Sequence, residues 1–322
     1  MFDDFQKVRA ACDFQGVLQT DASVTVKDGF MMTRNSELVA CHPVKLPDFA
    51  VPAVDLDKEL RAAPDAKLSV TETGVMLKSS TGNTRIAKLV GHNAFHKPAI
   101  KTTPLPPEVL SAFDEVYPFT TGDKSKPWSM GARVDAHTIT ATNSMMLIRA
   151  SIEPNTGLDG ITLSRTAIGH IRKRREDLVA WGSDEKMVLL EFNDGGWAIA
   201  MRLNAEMPAS AVGLVDSAIK DWTPDTMQVI SPEYRSKLLS SIDRTEELLT
   251  VWPDHIYGAR LASEHKCPVE TKLSTESALF TASDLAAVIS VAARVGFDRY
   301  PAPVPFISLN GARGLIAGRR QS

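Results

Sequence analysis

The stretches "VTVKDGFMMTRNSELVACHPV" (Val24–Val44) and "ARVDAHTITATNSMMLIRASI" (Ala132–Ile152) align end to end without a gap and share Asn-Ser at Asn35-Ser36 and Asn143-Ser144. Both read as strand, turn, strand, turn, strand. "KDG" and "DAH" supply the first turns and the Asn-Ser pairs the second, while apolar and β-branched residues fill the segments between, as an antiparallel meander requires. The same meander written twice predicts a duplicated α+β unit.

What flanks the meanders repeats as well. Before the first, Phe2, Phe5, Val8 and Cys12 share one helical face; before the second, Val109, Leu110, Phe113 and Val116 do. After each comes a helix and then strands: "PAVDLDKELRAAP" and "KLSVTETGVMLKSSTGNTRIAKL" in the first case, "ITLSRTAIGHIRKRREDLVAW" and "KMVLLEFNDGGWAIAMRL" in the second. "NDGG" marks a hairpin turn, because Asp-Gly and Gly-Gly accept positive φ. A third, looser pass runs through the helix "SPEYRSKLLSSI", strands across "LLTVWPDHIYGARLASEHKCPVETKL", the helix "FTASDLAAVISVAARV" and the strands of "VPFISLNGARGLIAGRR". The Pro-bearing joints "HKPAIKTTPLPPE" and "LNAEMPASAVG" suit extended connections and divide the chain into three domains, 1–101, 102–207 and 208–322. A period of this length suits a domain better than a solenoid repeat.

Composition bounds the function classes. A chain of 322 residues with 43% hydrophobic content has room for two or three cores. The acids of "MFDDFQKVRAACDFQ" are unlike the basic start of a secretory signal, and no window reaches the length of a membrane span, so a cytoplasmic protein without a membrane partner is expected. Cys12, Cys41 and Cys267 are odd in number and far apart, which points to free thiols rather than a disulfide framework or a zinc site. A net charge of -3 gives no global pull toward nucleic acid, so attraction of that kind must come from local basic patches.

Three tandem domains of this plan resemble the bacterial replicative sliding clamp, the β subunit of DNA polymerase III, or a phage counterpart of it. The resemblance covers nearly the whole chain and rests on "ITATNSMML", similar to the family's strand ending in Ala-Thr-Asp-Gly, on "LNAEMPA", similar to its Gly-x-Phe-Pro linker, and on the C-terminal strand "GLIAGRR". Asn143-Ser144 stands in place of Asp-Gly and Met207-Pro208 in place of Phe-Pro, and the family's Met-Pro-Met-Arg-Leu ending is represented only by "IAGRRQS". The resemblance implies the DNA-clamp fold and a homodimeric ring of six domains with strands outside and helices lining the hole. It further implies a non-catalytic, cofactor-free processivity factor that encircles double-stranded DNA without sequence preference and tethers DNA polymerase and clamp loader through short linear peptides. The alternative is a clamp-like binding or structural module that engages replication partners without encircling DNA; a monomer indifferent to DNA would mark it.

Helices around a DNA-filled hole should be apolar toward the sheet and basic on the other side. Lys58 and Arg61 project away from Leu56 and Leu60, Lys237 opposes Tyr234, Leu238 and Ile242, and Arg294 opposes Leu285, Val288, Ile289 and Ala292. Lys7 adds a charge from the first helix, and Arg165, Arg172, Lys173 and Arg174 lie off or along the flanks of the side defined by Ile168, Ile171 and Leu178. "PPEVLSAFDEVY", with Glu108, Asp114 and Glu115, departs from the pattern. For the partner-binding groove, the resemblance carries over to Thr142, Met145, Met146 and Leu147 from the repeated stretch and to Leu315 and Ala317 from the final strand. Methionines suit such a groove because their side chains repack at low cost.

A search for catalytic chemistry finds no Gly-x-Ser-x-Gly elbow, phosphate-binding Gly-rich loop, His-Glu-x-x-His helix or calcium loop. His92 and His96 have a metal-compatible spacing but sit at a Pro-bearing joint and are read as linker. His265 beside Cys267 lacks a third, orienting group and is read as a strand-surface pair.

Overall fold

The computed structural model describes residues 1–322 apart from 13, 15–21, 81, 91–93, 124, 154, 209–210, 212, 216, 218–223, 242–247, 259–266, 269–270 and 320–322. Its elements fall into three passes of helix, four strands, helix, three strands. The first pass is α1 (Phe2–Val8), β1 (Ser23–Lys27), β2 (Phe30–Arg34), β3 (Leu38–Pro43), β4 (Phe49–Pro52), α2 (Ala53–Ala62), β5 (Lys67–Val70), β6 (Gly74–Ser79) and β7 (Gly82–Ala87). After the short β8 (Thr103–Pro104), the second is α3 (Pro107–Val116), β9 (Gly131–Asp135), β10 (Thr138–Thr142), β11 (Met146–Ser151), β12 (Ile161–Ser164), α4 (Arg165–Lys173), β13 (Leu178–Ser183), β14 (Met187–Phe192) and β15 (Trp197–Met201). After β16 (Gln228–Val229), the third is α5 (Pro232–Ser241), β17 (Leu248–Val251), β18 (His255–Gly258), β19 (Cys267–Pro268), β20 (Ala278–Thr281), α6 (Ala282–Val291), β21 (Ala292–Val295), β22 (Val304–Ser308) and β23 (Arg313–Ile316).

The two meanders begin and end their strands at the same aligned positions, and the shared Asn explains the second turn. Asn35 Oδ1 accepts hydrogen bonds from the amides of Glu37 (2.9 Å) and Leu38 (2.8 Å), and Asn143 Oδ1 accepts from those of Met145 (2.9 Å) and Met146 (2.8 Å). Each Asn thus satisfies two turn amides that no strand partner reaches. The first turn of the first meander bends through Asp28 at φ 51° and Gly29 at φ 79°, where a short polar side chain and the lack of a Cβ lower the cost.

The chain packs into two compact units, one of Met1–Leu105 with Thr166–Arg202, the other of Pro106–Arg165 with Leu203–Ser322. Segment 102–207 therefore contributes to both. The first unit holds an eight-stranded sheet in the order β4-β1-β2-β3-β15-β14-β13-β8 and a three-stranded sheet, β5-β6-β7. The second holds an eight-stranded sheet, β12-β9-β10-β11-β23-β22-β21-β16, and a four-stranded one, β19-β18-β17-β20. In each eight-stranded sheet the meander of one pass is completed by the three closing strands of the next, through β3 and β15 or through β11 and β23.

One face of each large sheet is closed by helices. In the first unit Phe5, Val8, Leu56 and Leu60 are fully buried, and in the second Val109, Phe113, Val116, Leu285, Val288 and Ile289 are. Alternation along β10 and β11 sends Ile139, Ala141, Ile148 and Ala150 into the buried layer and leaves Thr142, Leu147 and Arg149 on the other face. Gly314 opposite Ile148 is obligatory, since a Cβ there would lie 2.1 Å from the Phe306 ring and 2.5 Å from the Leu147 carbonyl oxygen.

Two helix ends differ from expectation. The helix read through "VAARV" stops at Val291, and Ala292–Val295 is β21, because pairing with Ser308, Ile307 and Phe306 of β22 outweighs the local helical preference of "AAR". The helix read through "RKRREDL" stops at Lys173, and Leu178 starts β13 opposite Phe192.

Candidate functional site

The second unit carries a cleft of about 260 Å³ on the sheet face turned away from the helices. All six groove positions expected from the sequence line it: Thr142, Met145, Met146, Leu147, Leu315 and Ala317. Its floor is the β11–β23 pairing, where Leu147 stands opposite Leu315. Its rim is the Asn143 turn, fixed from several directions. Thr142 Oγ1 donates to the Met146 carbonyl at 2.6 Å, the Ala317 amide donates to the Met145 carbonyl at 2.8 Å, and Asn143 Nδ2 donates to Asp284 Oδ1 at 2.7 Å. Burial pushes the Asp284 carboxyl above the usual carboxylate range, partly offset by that Asn143 hydrogen bond.

Further walls come from residues the sequence reading did not single out. Pro208 belongs to the "LNAEMPA" joint and Ala211 and the half-exposed Leu214 follow it; Trp128, Ser144 and Pro303 complete the lining. An exposed Leu and a Trp in Pro-bearing segments are the signals available for these. None of the lining residues carries an ionisable side chain, so the cleft offers apolar surface and shape rather than a nucleophile, base or metal ligand.

The basic residues divide into two groups. Lys58 on α2, Lys173 at the end of α4 and Lys237 on α5 are exposed, and Arg172 is half-buried. Arg61 is also exposed and meets Asp57 at 3.1 Å. Asp57 is chelated in turn by Arg9 at 2.7 and 3.0 Å, and the Arg9 hydrogen bond holds its carboxyl below the usual range.

The others are committed elsewhere, and three expectations are corrected. Arg174 is not on a helix face turned to solvent. It lies just past α4, 5% exposed, with Nη2 bound to Asp194 and, at 3.1 Å, to Asp177, and its guanidinium 3.7 Å from the Phe192 ring centre. Arg165 Nη1 donates to the carbonyls of Tyr117 (3.0 Å) and Thr120, with the guanidinium over the Tyr117 ring, so it fastens the end of α3. Arg294 lies on β21 rather than on a helix, 3.9 Å from Asp225. Lys7 remains one-third exposed but is drawn to Asp194 at 2.8 Å. On α3, Glu108 is exposed while Glu115 is buried and accepts the Asn310 amide at 3.0 Å, which explains one of the acids that broke the basic pattern.

Asp194 thus gathers Lys7, Arg174 and, at 3.4 Å, His42 Nδ1, while His42 Nε2 lies 3.2 Å from Asp4. Burial pushes the Asp194 carboxyl up, but the Lys7 and Gly196 hydrogen bonds and the charges of Arg174 and Lys7 outweigh it and hold the group below the usual range. Burial lowers His42, and it lowers His170, edge-on to Phe192, to about 3. The thiols of Cys12 and Cys41 are buried and pushed up by that burial, Cys12 to about 12, which leaves them inert. His96 is exposed, while His92 and His265 lie outside the described residues; among those described, no group of three or more His, Cys, Asp or Glu side chains is arranged to hold a metal. Among the same residues, no helix is long and apolar enough to cross a membrane.

No family model and no curated protein matches the sequence. Solved structures do match the fold along the whole chain. The DNA polymerase III β subunit of Thermotoga maritima superposes with a TM-score of 0.73 at 16% identity, over 100% of this chain and 97% of that one. The sliding clamp of Bartonella birtlesii bound to griselimycin gives 0.72 at 14% identity, over 99% and 97%. The β clamp of Helicobacter pylori bound to a DNA ligase peptide gives 0.71 at 12% identity, over 99% and 97%. With three passes of one plan and the same strand order in both large sheets, this chain has the fold of the bacterial β sliding clamps.

Proposed function

We propose that the chain is a non-catalytic DNA sliding clamp: two copies close head to tail into a ring of six repeats around duplex DNA, and the cleft holds linear peptides of the polymerase and clamp loader. The three domains are taken as 1–101, 102–207 and 208–322. The observation that carries the reading is a pair of unfinished sheets. Each complete sheet joins four meander strands to three closing strands, yet among the described residues β19-β18-β17-β20 has no closing half and β5-β6-β7 has no meander half. By the pattern of β3 with β15 and β11 with β23, edge strand β19 of one copy is the partner of edge strand β7 of another. Such a contact is heterologous, and it closes when the rotation per copy completes a turn, removing both unpaired edges. The peptide-bound Helicobacter pylori clamp supports the reading of the cleft.

Lys58, Arg61, Arg172, Lys173 and Lys237 are the proposed phosphate contacts, Arg61 while it also meets Asp57; Lys7, Arg165, Arg174 and Arg294 are turned to the groups described above and contribute field more than contact. Phosphate contacts position without reading sequence, so binding is mobile and the long residence comes from closure of the ring. The test is retention on DNA after loading by a clamp loader with ATP. The expected result is protein that stays on a nicked circle at about 0.5 M salt, where phosphate attraction is screened, and leaves once the circle is cut. Equal loss from circle and linear DNA would refute it.

A further inference from the structure

The first unit contains a counterpart of the cleft, position for position. Leu147 and Leu315 stand opposite each other across β11 and β23, and Val39 and Ile199 take their places across β3 and β15. Thr142, the partner of Leu147 on β10, corresponds to Arg34, the partner of Val39 on β2. Pro303, just before β22, corresponds to Met187 at the start of β14, since Val304 pairs with Ile316 as Val188 pairs with Ala200. The lining of the cleft therefore recurs in the other large sheet.

In the second unit this ground is open, a cleft of about 260 Å³. In the first it is covered by the chain itself. Ala94, Phe95 and Ile100 pack against Cys41, Trp197 and Ile199, with Val39 and Met187 in the same cluster. The Arg34 guanidinium lies 5.5 Å from the centre of the Phe95 ring, and the Phe95 amide donates to Met32 Sδ at 3.4 Å. Glu191 on β14 fastens the segment further along, where its carboxylate meets Lys97 Nζ and accepts the Thr102 hydroxyl at 2.6 Å. The Lys97 and Thr102 hydrogen bonds hold the Glu191 carboxyl below the usual range. Residues 94–102 belong to no helix or strand, so no ladder holds them down. Segments of that kind detach at lower free energy than the sheet beneath them.

We infer that the first unit holds a second peptide site of the cleft's build, kept shut by residues 94–102, and that its ligand is a short linear peptide with a Phe anchor and a lysine two residues on. The seated segment defines that chemistry: Phe95 covers the apolar ground and Lys97 meets Glu191. A tethered segment acts at an effective concentration in the millimolar range, so a free peptide enters once the segment's own hold is weakened. The kind of ligand rests on the peptide-binding reading of the cleft, whereas the covering segment does not.

The test uses the whole protein and a fluorescently labelled peptide of residues 94–102, AFHKPAIKT, read by anisotropy. F95A/I100A, which uncovers the ground, is expected to bind it about tenfold more tightly than the wild type does. K97E, an exposed change that sets a second carboxylate against Glu191, should give about threefold. In F95A/I100A, replacing the peptide's lysine by glutamine should cost about threefold, and nothing once E191Q is added. Both gains should persist in an L147Q/L315Q background, which spoils the cleft. No gain in F95A/I100A and K97E, or a gain that L147Q/L315Q removes, overturns the inference and leaves the cleft reading standing. A gain indifferent to the peptide's lysine overturns the assigned ligand. Failure of the cleft reading shows separately, as binding to the wild type that L147Q/L315Q does not weaken.

Discussion

Asp194→Asn should destabilise the first unit through a group it does not remove. Asn keeps the shape and retains an acceptor for the Gly196 amide, which Asp194 Oδ1 receives at 2.9 Å, but it lacks the charge that faces Lys7 and Arg174. Arg174, whose side chain is 4% exposed, is then left with Asp177 and the Phe192 ring; its Nε and Nη1 have no hydrogen-bond partner among the described residues even in the wild type. Breaking a buried pair costs about 3–5 kcal/mol. Asp194 is one-fifth exposed and Asp177 still offsets part of the charge, so about 2–4 kcal/mol is expected here, a melting temperature lower by about 5–12 °C. The assay is urea and thermal unfolding by circular dichroism at neutral pH. Adding Arg174→Met should recover most of the loss, because replacing both partners removes the orphaned charge. A change under about 1 kcal/mol for Asp194→Asn, or no recovery in the double variant, would refute the view that this cluster holds α1, β3 and the β14–β15 hairpin together.

Two further outcomes follow from the same energetics. His170 is held neutral well below the ordinary histidine pKa of 6.5, so the unfolded chain takes up a proton that the folded one refuses; stability should be full above pH 6.5 and fall by about 1.4 kcal/mol per unit toward pH 3, with His42 acting in the same direction. Urea titrations from pH 7 to about 5 would show this slope, and His170→Leu should flatten it. Asn143→Ala should cost about 2–3 kcal/mol and loosen the cleft rim, since it strips acceptors from two turn amides and a donor from buried Asp284, while Asn35→Ala, which also strips two turn amides but gives up a 3.5 Å contact of Nδ2 with the neutral Ala10 carbonyl in place of the carboxylate, should cost about 1 kcal/mol; calorimetry on both checks the order.

What was legible in the sequence was what local chemistry decides. The Asn-Ser turns could be read because the Asn side chain caps amides two and three residues on, and the strands between because alternation along β10 and β11 sorts the two sheet faces. The six positions expected at the groove could be named because the resemblance reaches both the repeated stretch and the final strand, whose pairing brings them to one cleft. The rest depended on distant partners. Nothing near Arg174 announces that Asp194, twenty residues on across a hairpin, will draw it inward. "AARV" looks helical until β22 arrives as its neighbour. Trp128 reaches the cleft from a single 3-10 turn and Pro303 from a loop, and no periodicity encodes the course of either.

The central claim is that the two incomplete sheets are halves of one, completed by a second copy. Sedimentation equilibrium of the purified chain tests it most directly. The account predicts a dimer of twice the 35.0 kDa chain mass at micromolar concentration, dissociating when a proline in β7 blocks its free edge. A monomer of 35.0 kDa across that range, or a dimer indifferent to the β7 edge, would contradict it.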